Sequence, residues 1–348
     1  MTLAVNIAQI GSNNTTFRNR IINGAMVIDQ RNAGASVTRA SSTSGYSLDR
    51  WNISNLTGGT YTAQQSTDVP TNAGFSYSLK ATVTVADTSI TTTENAAFFQ
   101  PIEGYNIADL RFGYSNASSV TLSFWVKSTV TGTFSCCLTN SDNSRANPQS
   151  FTINSSNTWE QKTITFAGDT SGTWLTTNGI GLFVYVWLAA GPTYQGSAGW
   201  NGSSIYAITG QANAMSTIGN VFAITGVQLE AGSTASPFEY RSYGTELALC
   251  QRYFELVSQF VGKATSATQA EGTITFMVQK RAAPSLSVVN GTSTLLEIAV
   301  AVRSFTTISG TILVNGGYLV VQGASGMTSN NLCIFYNSSS IIGASSEL

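Results

Sequence analysis

Aromatic and amide side chains occur together in segments of the chain that are rich in glycine, serine and threonine. The longest of these, GPTYQGSAGWNG from Gly191, is predicted to be a loop by its glycine and proline content. The negative face of an aromatic ring attracts the C–H groups of a sugar, and amide side chains can form hydrogen bonds with the hydroxyl groups of the sugar. The candidate carbohydrate-binding residues are Trp174, Tyr194, Gln195, Trp200 and Asn201. The structural alternative, in which these rings fold back and cover the edge of a sheet, remains open.

A second set of aromatic residues lies on one side of an apolar strand that begins at Ile180. Phe183, Tyr185 and Trp187 alternate with aliphatic residues, so they share one face of the strand. A strand that is apolar on both faces is predicted to lie at the centre of a sheet with both sides covered. The aromatic face is therefore either a surface that binds a glycan or a contact with another sheet or a partner subunit.

The residue inventory argues against catalysis. The chain has no histidine, which excludes Ser-His-Asp and Cys-His nucleophile systems and the side chain best suited to proton transfer near neutral pH. A glycosidase needs two carboxylates about 5–10 Å apart, and no motif marks such a pair among the 17 acidic residues. We predict no catalytic residues and a protein that is not an enzyme, with glycan cleavage as a minority alternative.

The sequence predicts no metal site. Most zinc sites depend on imidazole, and the four cysteines form neither a disulfide framework nor a CxxC pair, so we expect buried free thiols. Jelly-roll domains that bind carbohydrate often hold a structural calcium ion through carboxylates. Asp29, Glu230 and Glu239 could contribute, but their spacing resembles no dedicated calcium loop. We predict no cofactor, with calcium as the minor alternative.

Charge and hydropathy restrict the partners. Charged residues make up 9% of the chain against an average of about 25%, and the net charge is −1, so nucleic-acid binding is not expected. The longest apolar stretch, Ile180 to Ala190, is shorter than the roughly 20 residues that span a bilayer, which predicts no membrane insertion. The first 20 residues lack the pattern of a signal peptide. We expect the protein to be assembled in the cytoplasm of a host cell and to be released when that cell lyses.

Several short strands separated by turn signals, with no long helical pattern, predict an all-β chain. In VTLSFWV, from Val120, the residues Val120, Leu122, Phe124 and Val126 share one face of a strand. Thr225-Gly226 marks a bulge where another strand changes phase. After Gly244 the apolar period becomes helical, which predicts a short helix over residues 245–257 with Thr245 as N-cap. These patterns predict a β-sandwich followed by this helix and a second, smaller β-sandwich.

Several segments of the chain resemble tail-fibre-like virion proteins of bacteriophages. They are FRNRIINGAMVIDQRNAG from Phe17, YSLDRW from Tyr46, ITGVQLEAG from Ile224, PFEYRSYGTELALCQRYFE from Pro237, VQKRAAP from Val278 and the terminal SSEL. The resemblance spans the whole chain, strongly at these segments and loosely between them. It implies a carbohydrate-binding-module-like jelly roll and a small β domain in a homotrimeric virion component that meets the host surface.

Pattern and resemblance together predict three regions: an attachment arm over residues 1–20, a jelly-roll domain over 21–243, and a trimerising β domain over 244–348. The expected function is non-catalytic attachment of a phage particle to host surface glycan. The expected partners are two further copies of the chain and, through the arm, other virion proteins. The alternatives are a capsid decoration or head-fibre protein without a receptor role, and a glycan-cleaving tail enzyme.

Overall fold

The computed structural model describes residues 17–202, 204–257, 260–289, 293–297, 300–335 and 342–348. Most of the predicted arm over residues 1–20 therefore lies outside the described residues. The chain divides into two compact units, Met1–Arg241 and Ser242–Leu348. The sequence places the boundary after residue 243.

The first unit is built from two antiparallel sheets of six strands each. The first sheet has the spatial order β1 (Val37–Arg39), β4 (Thr60–Ser66), β5 (Ser78–Val85), β14 (Val221–Ala231), β7 (Val120–Ser128) and β10 (Glu160–Phe166). The second has the order β2 (Thr43–Leu48), β3 (Trp51–Asn55), β6 (Asn95–Glu103), β11 (Ile180–Ala190), β8 (Gly132–Thr139) and β9 (Ala146–Ile153). A short parallel pair joins β12 (Gln195–Gly196) to β13 (Ala207–Ile208).

The predicted jelly-roll sandwich is confirmed, with its core between these two sheets. On β7, the apolar side chains that alternate from Val120 to Val126 are fully buried. On β11, Leu182, Val184 and Val186 are buried in the same core cluster. The opposite face of β11, which carries the predicted aromatic set, therefore points away from the first sheet.

The phase change in β14 is a bulge, as predicted. Its pairing with β7 shifts register between Thr225 and Gln228, and Gly226 lies between them with a φ of 60°. A Cβ atom at Gly226 would lie 2.5 Å from the ring of Phe75, so both the backbone angle and the space require glycine. The bulge lets Ile224 and Val227 both enter the core.

The second unit begins with the only α-helix of the described residues, α1 (Tyr243–Gln251). The predicted bounds of 245–257 are wrong at both ends, because Ser242 is the N-cap and Phe254–Val257 forms strand β15. This strand pairs with β24 (Ile342–Ser345) at the end of the chain. A short apolar run suits either a helix or a strand, and pairing with a distant segment decided between them.

The predicted second β-sandwich is confirmed as a sheet of three strands and a sheet of seven. The smaller sheet has the order β15, β24 and β18 (Ser285–Val288). The larger has the order β20 (Ala301–Phe305), β19 (Ser293–Glu297), β23 (Leu332–Phe335), β16 (Val261–Ser266), β17 (Gln269–Thr275), β22 (Gly316–Gln322) and β21 (Thr307–Leu313). The short apolar segment from Leu295 to Val302 spans parts of two strands, because β19 pairs antiparallel with β20. The sequence between β19 and β20 has no glycine, proline, asparagine or aspartate that would signal a turn.

The four cysteines are buried and form no disulfide, as predicted. Cys136 and Cys137 follow each other in β8, so their side chains point to opposite faces of the sheet. Burial raises the pKa of both thiols, which keeps them protonated and unreactive.

Glu160, at the start of β10, provides a pH test of the first unit. Burial favours its neutral form, but hydrogen bonds from Lys162, from the backbone amides of Ser155 and Asn154 and from the Asn154 side chain lower its pKa to about 2. Because the folded pKa lies below the ordinary value of 4.5, the carboxylate stabilises the fold above pH 4.5. This contribution is lost as the pH falls from 4.5 towards 2.

We expect Glu160→Gln to lower the thermal unfolding temperature at pH 7 and to have a shrinking effect below pH 4.5. The measurement is the difference in unfolding temperature between the two proteins across this pH range, with Gln161→Ala on the same strand as control. A difference that stays constant down to pH 2.5 would contradict the proposed role of the charge.

Candidate functional site

A row of aromatic rings lies on the outer face of the second sheet of the first unit. We call this row the aromatic ladder. Its members are Phe99, Phe183, Tyr185, Trp187, Tyr194 and Tyr206. At its centre the rings of Tyr185 and Trp187 are nearly parallel, at 9°, with centroids 5.1 Å apart. Trp187 and Tyr206 follow at 24° and 6.2 Å.

The sheet positions the ladder through register. Tyr185 on β11 pairs with Phe99 on β6, and their ring centroids are 5.0 Å apart. On the other side of β11, Tyr185 pairs with Cys137 of β8. Side chains on a strand stand roughly perpendicular to the sheet, so rings at alternate positions lie side by side. Trp187 stacks on Tyr185 and Tyr206, so its ring faces are occupied by neighbouring rings.

The remaining two rings of the ladder come from the loop that follows β11. The amide of Tyr206 donates to the backbone oxygen of Tyr194 at 2.8 Å, and the two rings lie 5.6 Å apart. The loop is tied to β8, because the amide of Ile208 donates to the hydroxyl of Ser135 at 2.9 Å. These bonds hold Tyr206 over the sheet before any ligand arrives, which reduces the entropy lost on binding.

A pocket of about 90 Å³ opens where the ladder meets this loop, and it is lined by Asn143, Tyr185, Trp187 and Tyr206. Trp187 is 5% exposed, and its indole Nε1 is buried without a hydrogen-bond partner among the described residues. An indole N–H can only donate, and leaving a buried donor unpaired costs about 1–3 kcal/mol. The Trp187 side chain therefore lines the pocket through its ring, while its indole N–H lies buried.

The pocket disfavours negative charge. Burial raises the pKa of Tyr185, and the nearby Cys137 and Tyr206 add to the shift. Burial also raises the pKa of Tyr206. Of the lining residues none is charged. A ligand would therefore meet neutral donors, neutral acceptors and aromatic edges.

Trp174 and Trp200, two of the predicted site residues, come together elsewhere in the first unit. They form a cluster of edge-to-face rings with Phe112, and their own centroids are 5.4 Å apart. Both indole nitrogens are satisfied within the protein, by the backbone oxygens of Ser171 and Ala167. We call this group the tryptophan cluster. Its closed hydrogen bonding favours the structural alternative for these two residues.

Tyr194, Gln195 and Asn201 lie in the loop beside the ladder. Tyr194 is a ladder ring, whereas Gln195 bonds the backbone at both ends of its amide, to Ala190 and Gly210. Asn201 forms an isolated bridge with Ala146, and its side chain donates to the backbone oxygen of Ile205 at 3.2 Å. These two amides hold the loop in shape, so their predicted role in ligand binding stays a prediction.

Sequence reasoning left Phe99, Asn143 and Tyr206 out of the candidate site. Tyr206 lies in the same polar loop as Tyr194, and its aromatic ring was the available signal. Phe99 and Asn143 reach the site through β-sheet register and a turn after β8, which no local pattern reveals.

The carboxylates considered for calcium bond to the protein itself. Asp29 accepts hydrogen bonds from the amides of Asn32 and Gly34, while Glu230 is held by Ser236. Over the described part of the chain, no three potential metal-ligating side chains come together. The helices of that same part include none with the length and apolarity to cross a membrane.

Comparison with solved structures finds phage and carbohydrate-binding proteins at low identity. The enzymatically active domain of tailspike protein 4 of bacteriophage CBA120 is 16% identical over 62% of this chain, with a TM-score of 0.34, and this chain spans 22% of it. The family 11 carbohydrate-binding module of a Clostridium thermocellum cellulosomal cellulase is 13% identical, with a TM-score of 0.30. That match covers 59% of this chain and 99% of the module. No protein-family model and no curated protein sequence matches the chain significantly.

Proposed function

We propose that this chain is a non-catalytic virion protein of a bacteriophage and attaches the particle to a glycan on the host surface. The aromatic ladder and the uncharged pocket that Tyr185, Trp187 and Tyr206 line beside it are the observation that carries the proposal. Sugars combine apolar C–H groups with hydroxyls that both donate and accept. A neutral aromatic pocket with an amide in its lining suits such a ligand.

Avidity makes a shallow pocket useful on a virus particle. A pocket of about 90 Å³ contacts only part of a sugar, so each site binds weakly. In a homotrimer, three such sites on one assembly share a multivalent glycan, and their combined binding greatly exceeds that of one site. Trimerisation is assigned to the second unit, and attachment to other virion proteins is assigned to the N-terminal segment.

The low content of charge, 9% of residues, agrees with attachment through neutral groups. Contacts of this kind depend little on salt, because ionic attraction is screened at physiological ionic strength and neutral hydrogen bonds are not. The protein would reach the virion by assembly in the host cytoplasm and would be released with it.

The test compares the two aromatic groups of the first unit. Trp187→Phe keeps a ring in the ladder but removes part of the aromatic surface that lines the pocket, and we expect it to weaken glycan binding about tenfold. Trp200→Phe makes the same replacement in the tryptophan cluster and serves as the control, with binding expected to be unchanged. Binding is measured on an array of purified bacterial surface polysaccharides, with circular dichroism to confirm that both variants fold.

Binding that Trp200→Phe reduces and Trp187→Phe leaves intact would move the site to the tryptophan cluster. If the wild-type protein binds no polysaccharide and does not inhibit phage adsorption, the attachment function is wrong. Release of reducing ends from a polysaccharide on the array would contradict the non-catalytic assignment.

A further inference from the structure

We propose that the pocket selects a neutral sugar edge and rejects sugars that carry a carboxylate at the same position. This inference rests on the proposed attachment function and names the class of glycan that the pocket accepts. It concerns the space lined by Asn143, Tyr185, Trp187 and Tyr206.

None of the described residues that line the pocket could balance an anion. Its lining consists of one amide and three aromatic side chains. An anion buried without a cation retains several kcal/mol of desolvation penalty, which a neutral hydroxyl avoids. The raised pKa values of Tyr185 and Tyr206 agree with this, because they report that negative charge is disfavoured at two of the four lining residues.

The charged groups nearest in sequence do not compensate. Asp142, next to Asn143, is an exposed acid whose pKa is lowered, so it adds negative charge beside the pocket. Arg145 is held by the buried carboxylate of Asp169 through two bonds of 2.7 and 2.8 Å. Its guanidinium group lies 6.0 Å from the ring of Trp200, in the tryptophan cluster.

The pocket is large enough for the edge of a sugar. Its volume of about 90 Å³ admits the hydroxymethyl group of a hexose and its hydroxyl. That hydroxyl can donate to the Asn143 or tyrosine oxygens and can accept from the Asn143 amide or a tyrosine hydroxyl. A hexose differs from its uronic acid at this hydroxymethyl group, where the acid carries a carboxylate.

The experiment uses pairs of polysaccharides that differ only in this charge. Acidic bacterial polysaccharides are immobilised beside their carboxyl-reduced forms, in which each uronic acid has become the corresponding neutral hexose. We expect the full-length wild-type protein to bind the reduced forms at least about tenfold more tightly than the acidic forms. Trp187→Phe should weaken this binding, whereas Trp200→Phe should leave it unchanged.

A second variant tests the electrostatic cause in the opposite direction. Asn143→Lys introduces a cation into the lining, at a position whose positive φ of 57° makes the change mildly strained. We expect this variant to gain binding to the acidic forms relative to the reduced forms. Ser144→Lys, one residue away on an exposed position, is the control and should show no such gain.

The possible outcomes distinguish failure of the selectivity from failure of the attachment site. Equal or tighter binding of the acidic forms, if lost in Trp187→Phe, would overturn the neutral selectivity and leave the attachment site in place. Binding that does not depend on Trp187 would overturn both the selectivity and the site. Absence of binding to either form of all polysaccharides would contradict the attachment function itself.

Discussion

Replacement of Lys280 by methionine is expected to destabilise the second unit by about 3–5 kcal/mol, because it leaves a buried carboxylate without its cation. Lys280 is 1% exposed, and its ammonium group donates to the carboxylate of Glu255 and to the backbone oxygen of Gln251. Glu255 is buried too and accepts from the amide of Met277 at 2.9 Å. Burial lowers the pKa of Lys280, and the bond to Glu255 opposes this shift.

The control is Lys263→Met, which makes the same replacement at an exposed lysine of β16 and should change the stability by less than about 0.5 kcal/mol. Chemical denaturation of the full chain measures the loss, and hydrogen exchange assigns it to the second unit. Combining Lys280→Met with Glu255→Gln should recover part of the stability, because an amide is less costly to bury than a lone carboxylate. If Lys280→Met were as stable as Lys263→Met, the ion pair of Lys280 and Glu255 would not be required for the stability of the second unit.

The second large effect is expected for Glu239→Ala, which should destabilise the first unit by roughly 3 kcal/mol. The carboxylate of Glu239 accepts hydrogen bonds from three consecutive backbone amides, those of Phe17, Arg18 and Asn19, at 3.2, 3.3 and 2.6 Å. Arg241 pairs with the same carboxylate at 3.2 Å and also donates to the backbone oxygens of Asn19 and Ile21. Removing the carboxylate leaves these donors without their shared acceptor.

Glu94→Ala is the matched control, since the Glu94 carboxylate accepts one amide bond, from Thr91, at an exposed turn. We expect it to lose less than about 1 kcal/mol. Burial favours neutral Glu239, but the amides and Arg241 outweigh this and lower its pKa. Its contribution is therefore present above the ordinary carboxyl pKa and is lost on acidification. A Glu239→Ala protein that unfolds like Glu94→Ala at pH 7 would contradict this role.

The contacts behind these two predictions join the segments that resemble phage virion proteins to one another. Glu239 of PFEYR holds the start of FRNRIING, so the two segments meet at one carboxylate. In the second unit Lys280 of VQKRAAP bonds Glu255, and Arg281 donates to the backbone oxygens of Ser346 and Glu347 in the terminal SSEL. The recognisable residues hold the ends of each unit in place, and the aromatic ladder lies outside these segments.

Much of the candidate site could be predicted from the sequence, but its assembly could not. The period of two along β11 separates Tyr185 and Trp187 from the aliphatic residues, and this local pattern places them on one face. It does not reveal whether that face is covered. Tyr206 and Asn143 join the site through pairings between distant segments, and the tryptophans of the predicted site are drawn into a separate cluster with satisfied indoles.

The amino-acid sequence was sufficient to determine the strand faces, the bulge at Gly226 and the buried thiols, because each depends on side chains that are near neighbours in the chain. The scarcity of charge is a property of the composition alone. The tertiary structure decided three things: the helix end at Gln251, the hairpin of β19 and β20, and the unpaired state of the Trp187 donor. Each of these depends on which distant segment supplies a hydrogen-bond partner. That choice is made when the whole chain folds, through the pairing of strands and the packing of loops.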